Sequence, residues 1–142
     1  MGFDPSSDYP LGRNRPELVT TPGGRALDEV TLEAVRDGRV GPEELRATPE
    51  TLRRQAAIAR AAGRGRLADN LDRSAELASV PAETILEIYT ALRPHRSSPD
   101  ELEAWAVRLE GEWGAPLCAA FVREAADVYA KRGLLAGERA QV

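Results

Sequence analysis

The sequence is poor in the residues from which most active sites and covalent cross-links are built. One histidine and one cysteine are present in 142 residues, so no two histidines can share a metal and no internal disulfide bond can form. A single cysteine agrees with a reducing compartment. No apolar run reaches the length of a membrane span, and the N-terminus lacks the basic and apolar regions of a signal peptide. We therefore expect a cytoplasmic protein that does not enter a membrane.

Known catalytic motifs are also missing. The sequence contains no Gly-x-Ser-x-Gly elbow, no phosphate-binding glycine loop and no His-Glu-x-x-His pattern. His95 follows a helix end and Cys118 lies near the start of an apolar helix, and both positions are typical of structural residues. Carboxylate pairs such as Glu43 and Glu44 lie in segments where nothing promises a shifted pKa. We predict no catalytic residue, no cofactor-binding residue and no metal ligand on this chain.

The charge balance argues against nucleic acid as a partner. The net charge is −4 and the isoelectric point is near 5.1, which disfavours binding to polyanions. Residues 48–70 are rich in arginine and have the helix–turn–helix pattern of some DNA-binding domains. The second helix of this segment, however, carries Asp69 and Asp72, and its turn holds two glycines around an arginine. We therefore expect no nucleic-acid binding.

Helical periodicity is the strongest signal that is present. The most apolar helix is predicted within residues 80–97, after Pro81 and before Pro94, because prolines favour those two boundaries. Ser98 and Glu101 have the spacing of a capping box that opens the next helix. The apolar residues of the predicted helix recur at i, i+3, i+4 and i+7, which places them on one face. They are Ile85, Ile88, Tyr89 and Leu92.

Further helices are predicted on both sides of this segment. Thr31 is a predicted N-cap, and Thr48 with Pro49 predicts a second helix start. Gly63 and Gly133 are predicted helix ends. No window alternates apolar and polar residues, apart from a short stretch near the N-terminus, so the predicted class is all-α. The predicted inward face of the last helix consists of Leu117, Phe121, Ala125 and Val128.

The first 25 residues differ from the rest because prolines and glycines interrupt them. Such spacing prevents a long helix and favours an extended arm. The arm nevertheless carries apolar residues, among them Tyr9, Leu11 and Leu18, so it is either a frayed terminus or a segment laid on another surface. We predict an extended arm over residues 1–25, packed on a partner, and a single compact multi-helix domain over residues 26–142.

Several blocks of the sequence, in a fixed order, carry a resemblance to a known family. Asp8-Tyr9-Pro10-Leu11 begins the series, and shorter matching blocks lie within residues 15–77. The most specific blocks are Ile85-Leu86-Glu87-Ile88-Tyr89 with Ala91-Leu92-Arg93-Pro94, and Cys118-Ala119-Ala120-Phe121-Val122-Arg123-Glu124-Ala125-Ala126. Over residues 8–135 the chain resembles the small (gamma) subunits of adenosylcobalamin-dependent diol and glycerol dehydratases.

The resemblance implies a mostly helical, non-catalytic subunit of a hydro-lyase with two large, two medium and two small chains. The enzyme it implies converts 1,2-diols (propane-1,2-diol, glycerol, ethane-1,2-diol) to aldehydes by radical dehydration. In that family the large chain holds the diol and the metal ions, and adenosylcobalamin lies between the large and medium chains. The small chain packs on the large one and is implied to bind no cofactor itself. Eight residues precede Tyr9, fewer than in some relatives, so we expect a cytoplasmic enzyme and leave packaging in a bacterial microcompartment open.

Candidate residues for the contact with the large chain lie in the arm and near helix ends. Arginines are included because a desolvated guanidinium often anchors an interface; the alternative for each residue is a contact within its own chain. Two other functions stay open from the residues alone, namely a stand-alone helical adaptor and a small self-sufficient enzyme. The candidates are Tyr9, Leu11, Leu18, Tyr89, Arg93, Arg96 and Arg123.

Overall fold

The computed structural model describes residues 2–137 of the chain. Seven α-helices lie within that range, and no β-strand does. A single isolated antiparallel bridge joins Thr20 to Ala26. The predicted all-α class is therefore confirmed for the described residues.

The chain forms two compact units, and the boundary falls between Ala78 and Ser79. The boundary lies just before the helix predicted within residues 80–97, which is the most apolar of the predicted helices. The predicted division into an arm over 1–25 and one helical domain over 26–142 stays a prediction.

The first unit contains four α-helices and three short 3-10 turns. Thr31 accepts a hydrogen bond from the Ala34 N–H, and Thr48 accepts one from the Thr51 N–H, so both predicted N-caps are confirmed. The helices are α1 (Leu11–Asn14), α2 (Leu32–Arg36), α3 (Pro49–Ala61) and α4 (Gly65–Leu77), and the 3-10 turns are Pro16–Leu18, Leu27–Glu29 and Pro42–Leu45.

Helices α3 and α4 pack against each other through alanines. Ala56 and Ala59 of α3 and Ala68 of α4 are buried, and Leu71 packs against them from its half-buried position. Small side chains let two helix axes approach closely. Leu67 of α4 is 44% exposed, so the buried contact consists mainly of alanines.

The N-terminal segment is more folded than an extended arm. It contains α1 and the 3-10 turn Pro16–Leu18, and Leu11 is buried. The guanidinium of Arg54 in α3 donates a hydrogen bond to the carbonyl of Leu18, and Arg15 pairs with Asp8 at 2.8 Å. The bond from Arg54 ties the segment to α3, and the Arg15–Asp8 pair links two parts of the segment itself. The packing of the segment on a partner stays a prediction.

The second unit contains three α-helices of 10, 15 and 17 residues. The capping box is present as predicted, because Ser98 accepts from the Glu101 N–H while Glu101 accepts from the Ser98 N–H. Gly114 and Gly133 end two helices with positive φ values of 59° and 65°, a conformation that glycine adopts without steric cost. The helices are α5 (Ala82–Ala91), α6 (Pro99–Trp113) and α7 (Pro116–Arg132).

Helices α6 and α7 form the main packing contact of this unit. Leu102 and Leu109 of α6 are each 1% exposed and are the largest fully buried side chains of the described chain. The predicted inward face of α7 is wrong for Leu117 and Phe121, while Ala125 and Val128 are half-buried. Leu117 and Phe121 are 48% and 46% exposed, and the buried α7 residues are instead Cys118, Ala119 and Val122. This run of α7 is apolar on two faces, and the face with smaller side chains approaches α6.

The end of α5 is bound to the segment that follows α7. The Tyr129 hydroxyl donates to the carbonyl of Leu92. The His95 N–H donates to the Leu134 carbonyl at 2.7 Å, and the Ala136 N–H donates to the Ser97 carbonyl at 2.9 Å. Two chain segments, residues 92–97 and 129–136, therefore lie side by side at one end of the unit.

Replacing Leu109 by alanine should destabilise the protein strongly, because it leaves a cavity between α6 and α7. We expect the free energy of unfolding to fall by about 2–5 kcal/mol, measured by chemical denaturation of the isolated full-length chain. The matched control is Leu86→Ala, the same truncation at a position that is 65% exposed, for which we expect a change within about 0.5 kcal/mol. Equal losses in both variants would contradict the packing described for α6 and α7.

Candidate interaction surfaces

The three candidate residues of the N-terminal segment differ in what they present to solvent. Tyr9 is 64% exposed, whereas Leu11 is 8% exposed. Leu18 is half-buried, and its carbonyl accepts the hydrogen bond from Arg54. Tyr9 is thus the candidate in this segment with a large apolar surface available.

Tyr9 borders an apolar groove in the first unit. The groove has a volume of about 780 Å³ and runs between the N-terminal segment and the α3–α4 pair. Leu11 and Val19 line it from the segment, and Leu67 and Leu71 line it from α4. The groove can accept apolar side chains.

Three candidates lie together on α5 and in the turn after it. Tyr89 is 68% exposed, and Leu86, one turn earlier on the same side, is 65% exposed. Arg93 and Arg96 are exposed, and within residues 2–137 neither guanidinium forms an ion pair or a hydrogen bond. This surface combines apolar area with two available cations.

Arg123 is placed differently, because its guanidinium is paired within its own unit. It binds Glu103 at 2.9 Å and Glu110 at 2.8 Å, both on α6. Hydrogen bonding to Glu110 and to Glu103 raises the pKa of Arg123. The same bond from Arg123 lowers the pKa of Glu110. The pairs join α7 to α6, which is the alternative of a contact within the chain, and a role for Arg123 at a partner stays a prediction.

A second groove lies between α5 and α6. Its volume is about 620 Å³, and Leu86, Trp105 and Arg108 are among its lining residues. The guanidinium of Arg108 lies 4.6 Å from the ring centre of Trp105 and 5.4 Å from that of Trp113, within the range of cation–π attraction. Arg108 also binds Glu112 at 2.9 Å, and this bond raises its pKa. The guanidinium of Arg108 therefore lies close to both indole rings of α6.

Sequence reasoning missed the exposure of several large apolar residues. Leu86 was not a candidate, and Leu117 and Phe121 were assigned to the core. The sequence did contain a signal for this exposure. Both α5 and α7 carry more apolar residues than one packed face can bury, so part of their apolar surface is left exposed. A helix with two apolar faces indicates a second contact.

The described residues contain no cluster of side chains suited to hold a metal ion. Within residues 2–137, no group of three or more His, Cys, Asp or Glu side chains is arranged to hold a metal ion. The one histidine, His95, is exposed in a turn with a φ of 61°. Cys118 is buried. None of the helices described is long and apolar enough to cross a membrane.

The bond between Arg123 and Glu110 should make stability depend on pH in a defined direction. Folding lowers the pKa of Glu110 from its ordinary 4.5, so the carboxylate stabilises the fold above that value and loses its contribution as the pH falls through the lowered pKa. We expect Glu110→Gln to lower the free energy of unfolding at neutral pH, with a difference from wild type that shrinks once the pH falls below about 4.5.

The matched control for this measurement is Glu124→Gln on α7. Glu124 is exposed and forms no ion pair with any described residue, so its replacement should leave the pH dependence unchanged. Denaturant unfolding at several pH values gives both comparisons. A Glu110→Gln difference that stayed constant from pH 7 to pH 3 would show that the carboxylate contributes nothing through its charge.

Comparison with known proteins assigns the chain to a family. Residues 5–136 match the model of the family described as "Dehydratase small subunit". The propanediol dehydratase small subunits of Salmonella typhimurium and Citrobacter freundii are each 54% identical to it over 132 residues. The match covers 93% of this chain and 76% and 77% of the two relatives. Because the family model and both relatives match most of the chain, this protein belongs to the dehydratase small subunit family.

Proposed function

We propose that the chain is the non-catalytic small subunit of an adenosylcobalamin-dependent diol or glycerol dehydratase. The whole enzyme would convert 1,2-diols such as propane-1,2-diol, glycerol or ethane-1,2-diol to aldehydes by radical dehydration. The observation that carries this proposal is the 54% identity, over 93% of the chain, to small subunits named for propanediol dehydratase. Identity at this level along nearly the whole chain supports the same place in the same kind of assembly.

The proposed role is to stabilise the complex by packing on the large catalytic subunit. Most buried side chains of the described residues are small, and only Leu102 and Leu109 are large and fully buried. At the same time several large apolar side chains are at least 44% exposed. They are Tyr9, Leu32, Leu45, Leu67, Leu86, Tyr89, Val107, Leu117 and Phe121. A chain that leaves so much apolar surface in water gains stability when another subunit covers it.

The cofactor and the metal are assigned to the other subunits. A metal ion does not fit the described residues, since none of their His, Cys, Asp or Glu side chains form a group of three or more able to hold one. Under this proposal adenosylcobalamin lies between the large and medium chains, and the metal ion lies in the large chain. The complex would be a dimer of heterotrimers.

The interface under this proposal includes the residues first chosen from the sequence. Tyr9 and Tyr89 would supply aromatic surface, and Arg93 and Arg96 would supply hydrogen bonds and charge. Leu11, Leu18 and Arg123 already make contacts within their own units. Their contribution would be to fix the shape of the surface that the partner meets.

Co-expression with the large and medium chains, with and without this chain, tests the proposed function. Each preparation is assayed for adenosylcobalamin-dependent aldehyde formation from propane-1,2-diol, glycerol and ethane-1,2-diol. We expect a stable three-chain complex whose activity is lost when this chain is omitted, and no activity from this chain alone. The ratio of rates for the three diols would identify the preferred substrate.

Two controls sharpen this experiment. Adding the separately purified chain to the two-chain preparation should restore activity, which separates a missing subunit from a damaged enzyme. Tyr89→Ala should weaken retention of the chain in the complex. Leu45→Ala removes another exposed apolar side chain, one outside the candidates chosen from the sequence, and should weaken retention less than Tyr89→Ala does. Full activity of the large and medium chains alone, with this chain eluting separately, would refute the subunit role and favour a stand-alone adaptor.

A further inference from the structure

Within residues 79–137, the described part of the second unit, the lysine and arginine side chains fall into two groups. Arg108 and Arg123 are bound to glutamates of the same unit. The other four cations form no ion pair and no side-chain hydrogen bond with the described part of the chain, and all four are exposed. These four residues, which we call the basic end, are Arg93, Arg96, Lys131 and Arg132.

Backbone geometry brings the members of the basic end to the same end of the unit. Arg93 and Arg96 lie in the turn after α5, and Lys131 and Arg132 close the last turn of α7. The two segments are joined by the Tyr129–Leu92 hydrogen bond and by the bond from the His95 N–H to the Leu134 carbonyl. Positive charge is therefore concentrated where the two helices finish.

Interactions within the unit explain only part of the clustering of positive charge at the basic end. Cations near a helix C-terminus interact favourably with the helix dipole, which explains why single basic residues occur there. Four cations at one end also repel one another, and no described carboxylate lies within ion-pairing distance of them. Asp127, one turn before Lys131, forms no ion pair with it. The other two described arginines of the unit, Arg108 and Arg123, are both paired with glutamates, so the four unpaired cations differ from them in being available to another surface.

We propose that the basic end docks onto a carboxylate-bearing surface of another dehydratase subunit. This inference rests on the proposed function and adds the chemistry of the partner. Four available cations fit an acidic partner by charge complementarity. Tyr89 and Leu86 extend the surface along α5 with exposed apolar side chains, and a mixture of aromatic residues and arginine is typical of protein interfaces. The acidic side chains of the partner would therefore lie beside an apolar contact.

A protein partner is favoured over a nucleic acid by the rest of the chain. The net charge of −4 opposes association with a long polyanion. The basic end adjoins the exposed apolar side chains of Leu86 and Tyr89. A phosphate backbone would leave this apolar surface uncovered. Binding to a DNA duplex is nevertheless an outcome that the test must record.

The test measures how tightly the small chain is retained by the immobilised complex of large and medium chains at different salt concentrations. NaCl is varied from about 0.1 to about 1 M, over which the screening length falls from about 10 to about 3 Å. We expect wild-type binding to weaken with salt. Arg93→Glu with Arg96→Glu, and separately Lys131→Glu with Arg132→Glu, should each raise Kd at least about tenfold at low salt, and the difference from wild type should narrow at high salt.

A charge-matched control distinguishes the basic end from net charge. Arg53→Glu with Arg66→Glu makes the same charge change at exposed cations of the first unit that form no ion pair within the described chain, and it should leave Kd and its salt dependence unchanged. Circular dichroism of each isolated full-length variant checks folding. The neutral pair Arg93→Gln with Arg96→Gln, a milder change, should give an intermediate Kd.

The possible results separate this inference from the function on which it rests. If wild type is retained but the basic-end variants bind like the control, the inference is wrong and the subunit role stands. If wild type is not retained at any salt concentration, the subunit role itself fails. If the chain instead binds a short DNA duplex and the basic-end substitutions abolish that binding without affecting retention, the site serves a polyanion and the inference is overturned.

Discussion

Close packing of helices through small side chains is the constraint on which the rest of this structure depends. Ala56, Ala59 and Ala68 are buried where α3 packs against α4. Cys118 and Ala119 are buried on α7, which packs against α6. Small residues bring helix axes close, and the gain is in dispersion contacts rather than in large buried apolar area. Such a core is tight but contributes less hydrophobic stabilisation than one built from leucine and phenylalanine.

Packing through small side chains also determines which residues lie on the surface. When alanines occupy the packed face of a helix, the large apolar residues of that helix lie beside or opposite the contact. Leu67 on α4 and Phe121 on α7 are examples, and both are more than 40% exposed. Removing such side chains from water stabilises an assembly by about 25 cal/mol for each Å² of apolar area buried. Under the proposed function, partner subunits cover part of this exposed surface, and binding that covers apolar area stabilises the folded chain.

Local signals in the sequence were sufficient to predict helix starts and ends. They were not sufficient to predict which face of a helix is buried. Thr31, Thr48 and Ser98 act as caps as predicted, because capping depends on a few adjacent residues and their backbone. The inward face of α7 was predicted wrongly for Leu117 and Phe121, because that helix is apolar on two sides and the choice depends on α6. The orientation of α7 is set by its packing against α6, which is distant in the sequence, and Glu103 and Glu110 of α6 also bind Arg123 of α7.

The sequence was likewise insufficient to predict which arginines are paired within the chain. In the sequence Arg93, Arg96 and Arg123 are equivalent, since each is an arginine near a helix in a block that resembles the family. The structure separates them, because the guanidinium of Arg123 is held by two carboxylates while the other two have no partner among the described residues. A paired guanidinium would have to break two ion pairs before it could bind another subunit, whereas an unpaired one loses only water. Charge that is already paired therefore stabilises the fold, and charge left unpaired at the end of two helices is what remains available for assembly.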